Sequence, residues 1–295
     1  MGRVTGTRFP RFFFLYGLIL IYFEPSGSGE SAGTIYIMAY KITINDLSIN
    51  DYRLINGIYV HKDIDDEKLN MPIFRYMPFE YLLCLIKEKI LYVANRSSFT
   101  DLTEKGEISN LKYESPLLLH LRNKKYEEKV NDKIKERRAS AYNVCASCWT
   151  KDTYTYGNES FLMWKCYSGS KVCCRIETTI IDLINSISTK GITGDIVLSE
   201  MNYIDFQKNK YMGNMQHYMF EKPIAYTAEQ EVRLYVMSND EKIYMDINPF
   251  TMIRKILISP FIDNDFSKIL IEYLKSEFPD LKISIKKSAI SEKCS

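Results

Sequence analysis

Three histidines and two tryptophans in 295 residues leave little of the side chain most often used for proton transfer near neutral pH. His61, His120 and His217 stand in no catalytic context, so a Cys/His nucleophile pair gains no support. The 13 glycines form no loop of the kind that cradles phosphates, which argues against P-loop and dinucleotide-binding motifs. Charge of one sign is also missing: 39 basic residues face 37 acidic ones, for a net charge of +2. That balance excludes the broad basic footprint of a general nucleic-acid binder. The local basic clusters "RNKKYEEKV" and "KIKERRAS" carry interleaved acids, as a solvated helix face does. Seven cysteines is an odd number in a chain this long, and no small disulfide framework is visible. Internal repeats and low-complexity tracts are absent as well.

One long apolar run is present, and it lies at the N-terminus. Arg3, Arg8 and Arg11 precede "FFFLYGLILIYF", from Phe12 to Phe23, and "EPSGSGESAG" follows. A basic start, a short apolar run and small residues resemble a secretory signal, although the run is short for a bilayer span. The favoured reading takes residues 1–37 as an upstream extension, with the true start at Met38 and a cytoplasmic protein. Export or membrane anchoring through Phe12 to Phe23 is the alternative.

A hydrophobic content of 46% can supply a substantial core. Residues 38–70 read as short strands and turns, residues 71–290 as the main domain, and residues 291–295 as a tail. Apolar spacing at Phe79, Leu82, Leu83 and Ile86 predicts a helix over Phe79 to Lys89, with the strand "ILYVA" directly after it. A charged helix or helical pair is expected over Leu117 to Arg138. "YNVCASCW" and "KVCCRIETT" read as strands. Between them "NESFLMWKCYSG" reads as a helix from the cap residue Asn158 to Gly169. In that helix Met163 and Trp164 are spaced with Phe161 and Tyr167, as core packing requires. "TIIDLINSIS" and "DNDFSKILIEYLKSEF" read as helices. "GDIVLSEMNYID", "EQEVRLYVM", "MIRKILISP" and "KISIKKS" read as strands. Strands among helices without a strict alternation predict an α+β fold, with mixed or split antiparallel sheets and flanking helices.

Glu229 and Glu231 stand one residue apart before the apolar run that begins at Val232. In extended chain, residues two apart share a face, so the two carboxylates are expected side by side. They suit either an acid pair of an active site or a strand-edge pair bridged to Arg233 or Lys222. The cysteines Cys145, Cys148, Cys166, Cys173 and Cys174 lack paired zinc-knuckle spacing, and adjacent Cys173 and Cys174 face opposite ways on a strand. Buried free thiols are expected and no metal site. A cluster of Asp101, Glu104 and Glu177 is the residual option for a metal-dependent nuclease.

In order along the chain, "NESFLMWKCYSG", "CCRIETT", "YIDF", "FEKPIAYTAEQEVRLYV", "IRKILISPFIDNDF" and "KISIKKSAI" resemble the bacterial family called domain of unknown function 2971. The resemblance spans roughly Met71 to Ile290. It departs from the family in the loop "SSFTDLTEKGE", where Asp101 and Glu104 stand as remnants of the family's motif. That family implies no activity by itself. A second resemblance does: Arg75 between Phe74 and Tyr76, Ser147 within "CASCW", and the later Glu-x-Glu are similar to ADP-ribosyltransferases of the Arg-Ser-Glu type. It implies NAD as substrate in a cleft between two small sheets. Arg75 would contact phosphate or the nicotinamide ribose, Ser147 would support the glutamate, Glu231 would bond the ribose hydroxyl, and Glu229 would face the acceptor.

The chemistry is consistent with those parts. A fixed carboxylate stabilises an oxocarbenium-like sugar, and a guanidinium grips phosphate in a forked geometry. Tyr76, Trp149 and Tyr226 are candidate stacking walls for nicotinamide. The expected function is therefore an NAD-consuming transferase or glycohydrolase acting on a protein or nucleic-acid acceptor or on water, as a toxin or phage-defence effector. A non-catalytic interaction or sensor module of a stress or defence system is the alternative.

Overall fold

Apolar residues at every second position mark strands such as β2, β4 and β11. The computed structural model describes residues 42–99, 143–152, 159–168, 172–205 and 219–290. In chain order these give β1 (Tyr52–Ile55), β2 (Ile58–His61), α1 (Asp66–Leu69), β3 (Pro72–Pro78), α2 (Phe79–Glu88) and β4 (Ile90–Asn95). Then follow β5 (Cys145–Thr150), α3 (Phe161–Ser168), β6 (Cys173–Thr179), α4 (Ile180–Ser186), β7 (Ile196–Glu200) and β8 (Asn202–Ile204). The remainder comprises β9 (Glu221–Pro223), a 3-10 helix (Ile224–Glu229), β10 (Glu231–Val236), β11 (Lys242–Asp246), α5 (Pro249–Met252), β12 (Lys255–Ile258), α6 (Asn264–Glu277) and β13 (Ser284–Lys287).

The expected helix after β3 runs from Phe79 to Glu88 and buries Phe79, Leu82, Leu85 and Ile86, with Leu83 only partly covered. Lys89 ends it in the left-handed conformation and passes the chain straight into β4. Thr179 ends β6 and caps α4, its hydroxyl accepting from Asp182 N at 3.2 Å. Asp263 caps α6 through Asp265 N at 2.8 Å and Phe266 N at 3.2 Å. "GDIVLSEMNYID" differs from its expectation as a single strand. β7 lies in the main sheet, whereas β8 pairs with β9 in a small separate sheet. The expected helix over Leu117 to Arg138, the apolar run Phe12 to Phe23, and Asn158 and Gly169 lie outside the described residues. Among the described residues no helix is long and apolar enough to cross a membrane.

The fold is α+β, built on a mixed sheet of mostly antiparallel strands. Its main path runs β1-β2-β7-β10-β5-β3-β6-β12-β13, so the hairpin of residues 52–61 continues the sheet of the main domain. Parallel pairs occur at β2–β7 and β12–β13. The sheet forks at β5. One side of β5 is fully paired to β10, from Glu231↔Thr150 to Val236↔Cys145. The other side is shared: Thr150 pairs with Phe74 of β3, and Ala146 and Cys145 pair with Ala94 and Asn95 of β4. Between those contacts β3 and β4 diverge, β4 carrying β11 with it.

The two faces of the sheet have different coverings. Ile73, Met77, Ile176, Leu198, Val232 and Leu234 join the large core on one face, over which α2 and α4 pack. Each such fully buried aliphatic side chain contributes about 1.5–3 kcal/mol. Phe74, Tyr76 and Cys173, one position over, point the other way and meet Met163 and Trp164 of α3. Cys174 lies in the large core, so the two adjacent cysteines do part across the strand. α3 therefore packs over the face to which Phe74, Tyr76 and Cys173 point.

Candidate functional site

The fork opens a cleft of about 560 Å³. Strand register decides which residues reach it. On β10 the even positions Val232, Leu234 and Val236 enter the core, which leaves Glu231, Arg233 and Tyr235 on the other face. They stand beside Thr150, Cys148 and Ala146 of β5. Glu229, Lys222 and Arg75 complete the charged lining, and Trp149, Tyr76 and Tyr167 supply aromatic surface.

Glu231 and Glu229 are held together, though not in the way strand alternation predicts. β10 begins only at Glu231, because Glu229 ends the 3-10 helix and Gln230 turns the chain with φ 45°. The pair is assembled by Lys222, whose Nζ donates to Glu229 Oε2 at 2.6 Å and to Glu231 Oε2 at 3.1 Å. Arg233 grips the same Oε2 of Glu231 from Nε at 3.0 Å and Nη2 at 2.6 Å. Its Nη1 donates to Tyr235 Oη at 3.1 Å, and Tyr235 donates in turn to Met219 O at 2.6 Å. The backbone N–H of Glu231 donates to Tyr203 Oη at 2.8 Å. These are the bridges to Arg233 and Lys222 expected of a structural pair, yet β10 is an internal strand between β5 and β7, not an edge.

All three donors converge on Oε2, so Oε1 of Glu231 keeps its lone pairs for another donor among the described residues. Burial, reinforced by the charge of Glu231, pushes the Glu229 carboxyl above its ordinary value, against the pull of Lys222. One carboxyl is thus poised to exchange a proton nearer neutrality than a free glutamate.

Arg75 sits where β3 and β4 part. Its Nη1 donates to Ser147 Oγ at 2.8 Å, its Nη2 reaches Tyr92 O on β4 at 3.4 Å, and its guanidinium lies 5.8 Å from the Trp149 ring. Ser147 Oγ also accepts from Trp149 Nε1 at 3.1 Å. Burial draws the Arg75 guanidinium below its ordinary pKa, with Cys148 and Tyr167 opposing. Among the described residues no carboxylate pairs with Arg75, whereas Lys222 and Arg233 are both engaged by the glutamates. Among the described lining residues three cations stand against two carboxylates, and Arg75 pairs with neither of the two.

The structure brings Arg75, Trp149, Tyr76, Glu229 and Glu231 to one cleft and sorts two other candidates away from it. Ser147 does not touch Glu231. It pairs in register with Leu234, on the core-facing side of β5, and its oxygen accepts from Arg75 and Trp149. An antiparallel partner shares its neighbour's face, and the partner here is apolar. Tyr226 lies outside the lining, with its ring 4.8 Å from Lys222 Nζ. Tyr76 shows only its ring, since its hydroxyl donates to Asp152 Oδ2 at 2.5 Å. Asp152 also pairs with Arg175 at 3.1 Å, and burial lifts its carboxyl despite both partners.

The helical spacing of α3 is partly misleading. Met163 and Trp164 are core, as expected, but Phe161 is half exposed and Tyr167 turns to the cleft. Lys222 was expected only as the bridge of a structural pair, and Cys148 and Tyr167 only as a buried thiol and a core ring, because each reaches the site through pairing or packing with distant chain. Asp101 and Glu104 lie outside the described residues, Glu177 pairs with Lys255 at 3.7 Å, and no metal-binding group of His, Cys, Asp and Glu occurs among the described residues.

These features define an α+β protein with a cleft in a forked sheet, lined by a cation-clamped carboxylate pair, an arginine that meets no carboxylate among the described residues, and aromatic side chains. Compared with known proteins, the chain matches no family model and no curated protein.

Proposed function

We propose that this protein consumes NAD, as an ADP-ribosyltransferase or NAD glycohydrolase, in line with the resemblance of its ordered segments to those enzymes and to the domain of unknown function 2971 family. The observation that carries the reading is the meeting of Arg75, Glu229 and Glu231, more than 150 positions apart, in one cleft whose volume lies in the range of small-molecule sites. The residues suit the substrate. Arg75 offers a phosphate oxygen a guanidinium that meets no carboxylate among the described residues. The nearly buried rings of Trp149 and Tyr76 border the cleft beside the exposed ring of Tyr167.

Loss of nicotinamide leaves the electron pair of the broken C–N bond on the departing ring nitrogen and positive charge on the sugar. Glu231 is fixed by Lys222 and Arg233 so that Oε1 can stabilise that charge without reorganising. The incoming hydroxyl or water oxygen forms the new bond at the same carbon and must shed a proton. Glu229, with its raised pKa, takes it. A proton acceptor near neutrality typically contributes about 10²–10⁴-fold.

One observation favours a second reading, a non-catalytic interaction module: the Oε2 clamp on Glu231 is also what a purely structural buried carboxylate would need. Nicotinamide release by the purified protein separates the two. In the enzymatic reading Glu231→Gln lowers release by at least about 100-fold while circular dichroism stays unchanged. If the wild-type protein neither binds nor consumes NAD with protein, nucleic acid or water as acceptor, the enzymatic reading fails.

A further inference from the structure

α3 turns Cys166 and Tyr167 to the cleft in its last turn. The Tyr167 ring lies 6.2 Å from that of Tyr76, inclined by 27°, in a stacked arrangement. Tyr76 is itself buried. Its hydroxyl donates to Asp152 Oδ2 at 2.5 Å and accepts from Ser160 N, just ahead of α3, at 3.2 Å. Ser160 Oγ then accepts from Met163 N at 3.2 Å, and Trp164 Nε1 donates to Glu159 Oε2 at 3.2 Å. The helix that carries Tyr167 and the ring it stacks on are thus tied to one hydroxyl.

The Tyr167 hydroxyl, in contrast, makes no hydrogen bond among the described residues, and the residue is 43% exposed. Burial, then the charges of Cys148, Glu231 and Glu229, hold this phenol protonated well above its ordinary range, and Arg75 only partly offsets them. It is therefore a donor.

We propose that Tyr167 donates a hydrogen bond from Oη to a sugar hydroxyl of the substrate, the same hydroxyl whose proton Glu231 Oε1 accepts. This rests on the reading of the cleft as an NAD site. A hydroxyl group has one proton and two lone pairs. A carboxylate can satisfy only the proton, so a sugar hydroxyl bound at Glu231 needs a donor from the opposite side. Ser147 does not line the cleft, its oxygen accepting from Arg75 and Trp149. Lys222 and Arg233 are occupied by the glutamates. Tyr167 lines the same cleft from α3, close enough to Glu231 and Glu229 for their charges to act on its phenol.

The test is Tyr167→Phe, which keeps the ring and its stacking on Tyr76 and removes only the hydroxyl. Nicotinamide release from NAD and the Kd for ADP-ribose, read by tryptophan fluorescence, are measured on wild type and variant, with melting temperature as the control for folding. The expected result is a loss of about 5- to 100-fold in kcat/KM or in ADP-ribose affinity at unchanged melting temperature. If wild type is active and the variant matches it within twofold in both measurements, the role of Tyr167 is overturned while the NAD reading stands. If wild type binds ADP-ribose without turnover, the ratio of the two Kd values decides in the same way. If wild type neither turns over NAD nor binds ADP-ribose, the inference falls together with that reading.

Discussion

Replacing Lys222 by methionine tests how the carboxylate pair is held. The Lys222 ammonium is 2.6 Å from Glu229 Oε2 and 3.1 Å from Glu231 Oε2, and its side chain is 6% exposed. Methionine fills similar volume and removes the charge. Glu231 retains Arg233 at 2.6 Å, so the stranded group is chiefly Glu229, which has no other ion pair among the described residues. Removing one partner of a buried pair costs about 3–5 kcal/mol. At about 2–4 °C per kcal/mol for a domain of this size, the melting temperature should fall by about 6–20 °C at pH 7.

The loss should also depend on pH in a definite direction. Glu229 already has a raised pKa in the folded protein, so its contribution to stability is fully present below the unfolded glutamate value and is lost as pH rises through the folded value. Without Lys222, the folded value rises further and the loss at neutral pH deepens. The gap between variant and wild type should therefore narrow on acidification from pH 7 toward pH 5. Calorimetric melting of both proteins across that range measures it. A variant that melts within 2 °C of wild type at pH 7, or a gap that stays constant with pH, would refute the electrostatic account of the pair.

Ser147→Ala removes the acceptor shared by Arg75 and the buried Trp149 Nε1. It should cost about 1–3 kcal/mol in urea unfolding and weaken ADP-ribose binding; an unchanged midpoint would mean that this hydroxyl does not hold the fork. Iodoacetamide at pH 8, mapped by mass spectrometry on native protein, should label the exposed Cys84 and Cys166 well before Cys145 and Cys173. Burial pushes both of the latter thiols up to about 11. Cys174, fully enclosed in the large core, should label only on unfolding, and early labelling there would contradict the strand alternation that buries it.

Local periodicity was sufficient for the α+β class, for helices such as Phe79–Glu88 and Asn264–Glu277, and for the opposite facing of Cys173 and Cys174, because each depends on neighbours in the chain. The association of Arg75 with the two glutamates could be suspected from the order of polar residues around apolar strands. How they associate could not. Glu229 and Glu231 share a lysine and not a strand face, because Gln230 turns left-handed between them. Ser147 faces Arg75 because β5 is registered with Leu234 at that position. The fork itself depends on Phe74 meeting Thr150 while Ala94 meets Ala146. Such pairings join segments many tens of residues apart, and their free energy comes from burial and hydrogen bonding that exist only once the sheet has formed. The amino-acid order determined which side chains were available for a site, and the long-range register of the strands decided which of them face one another.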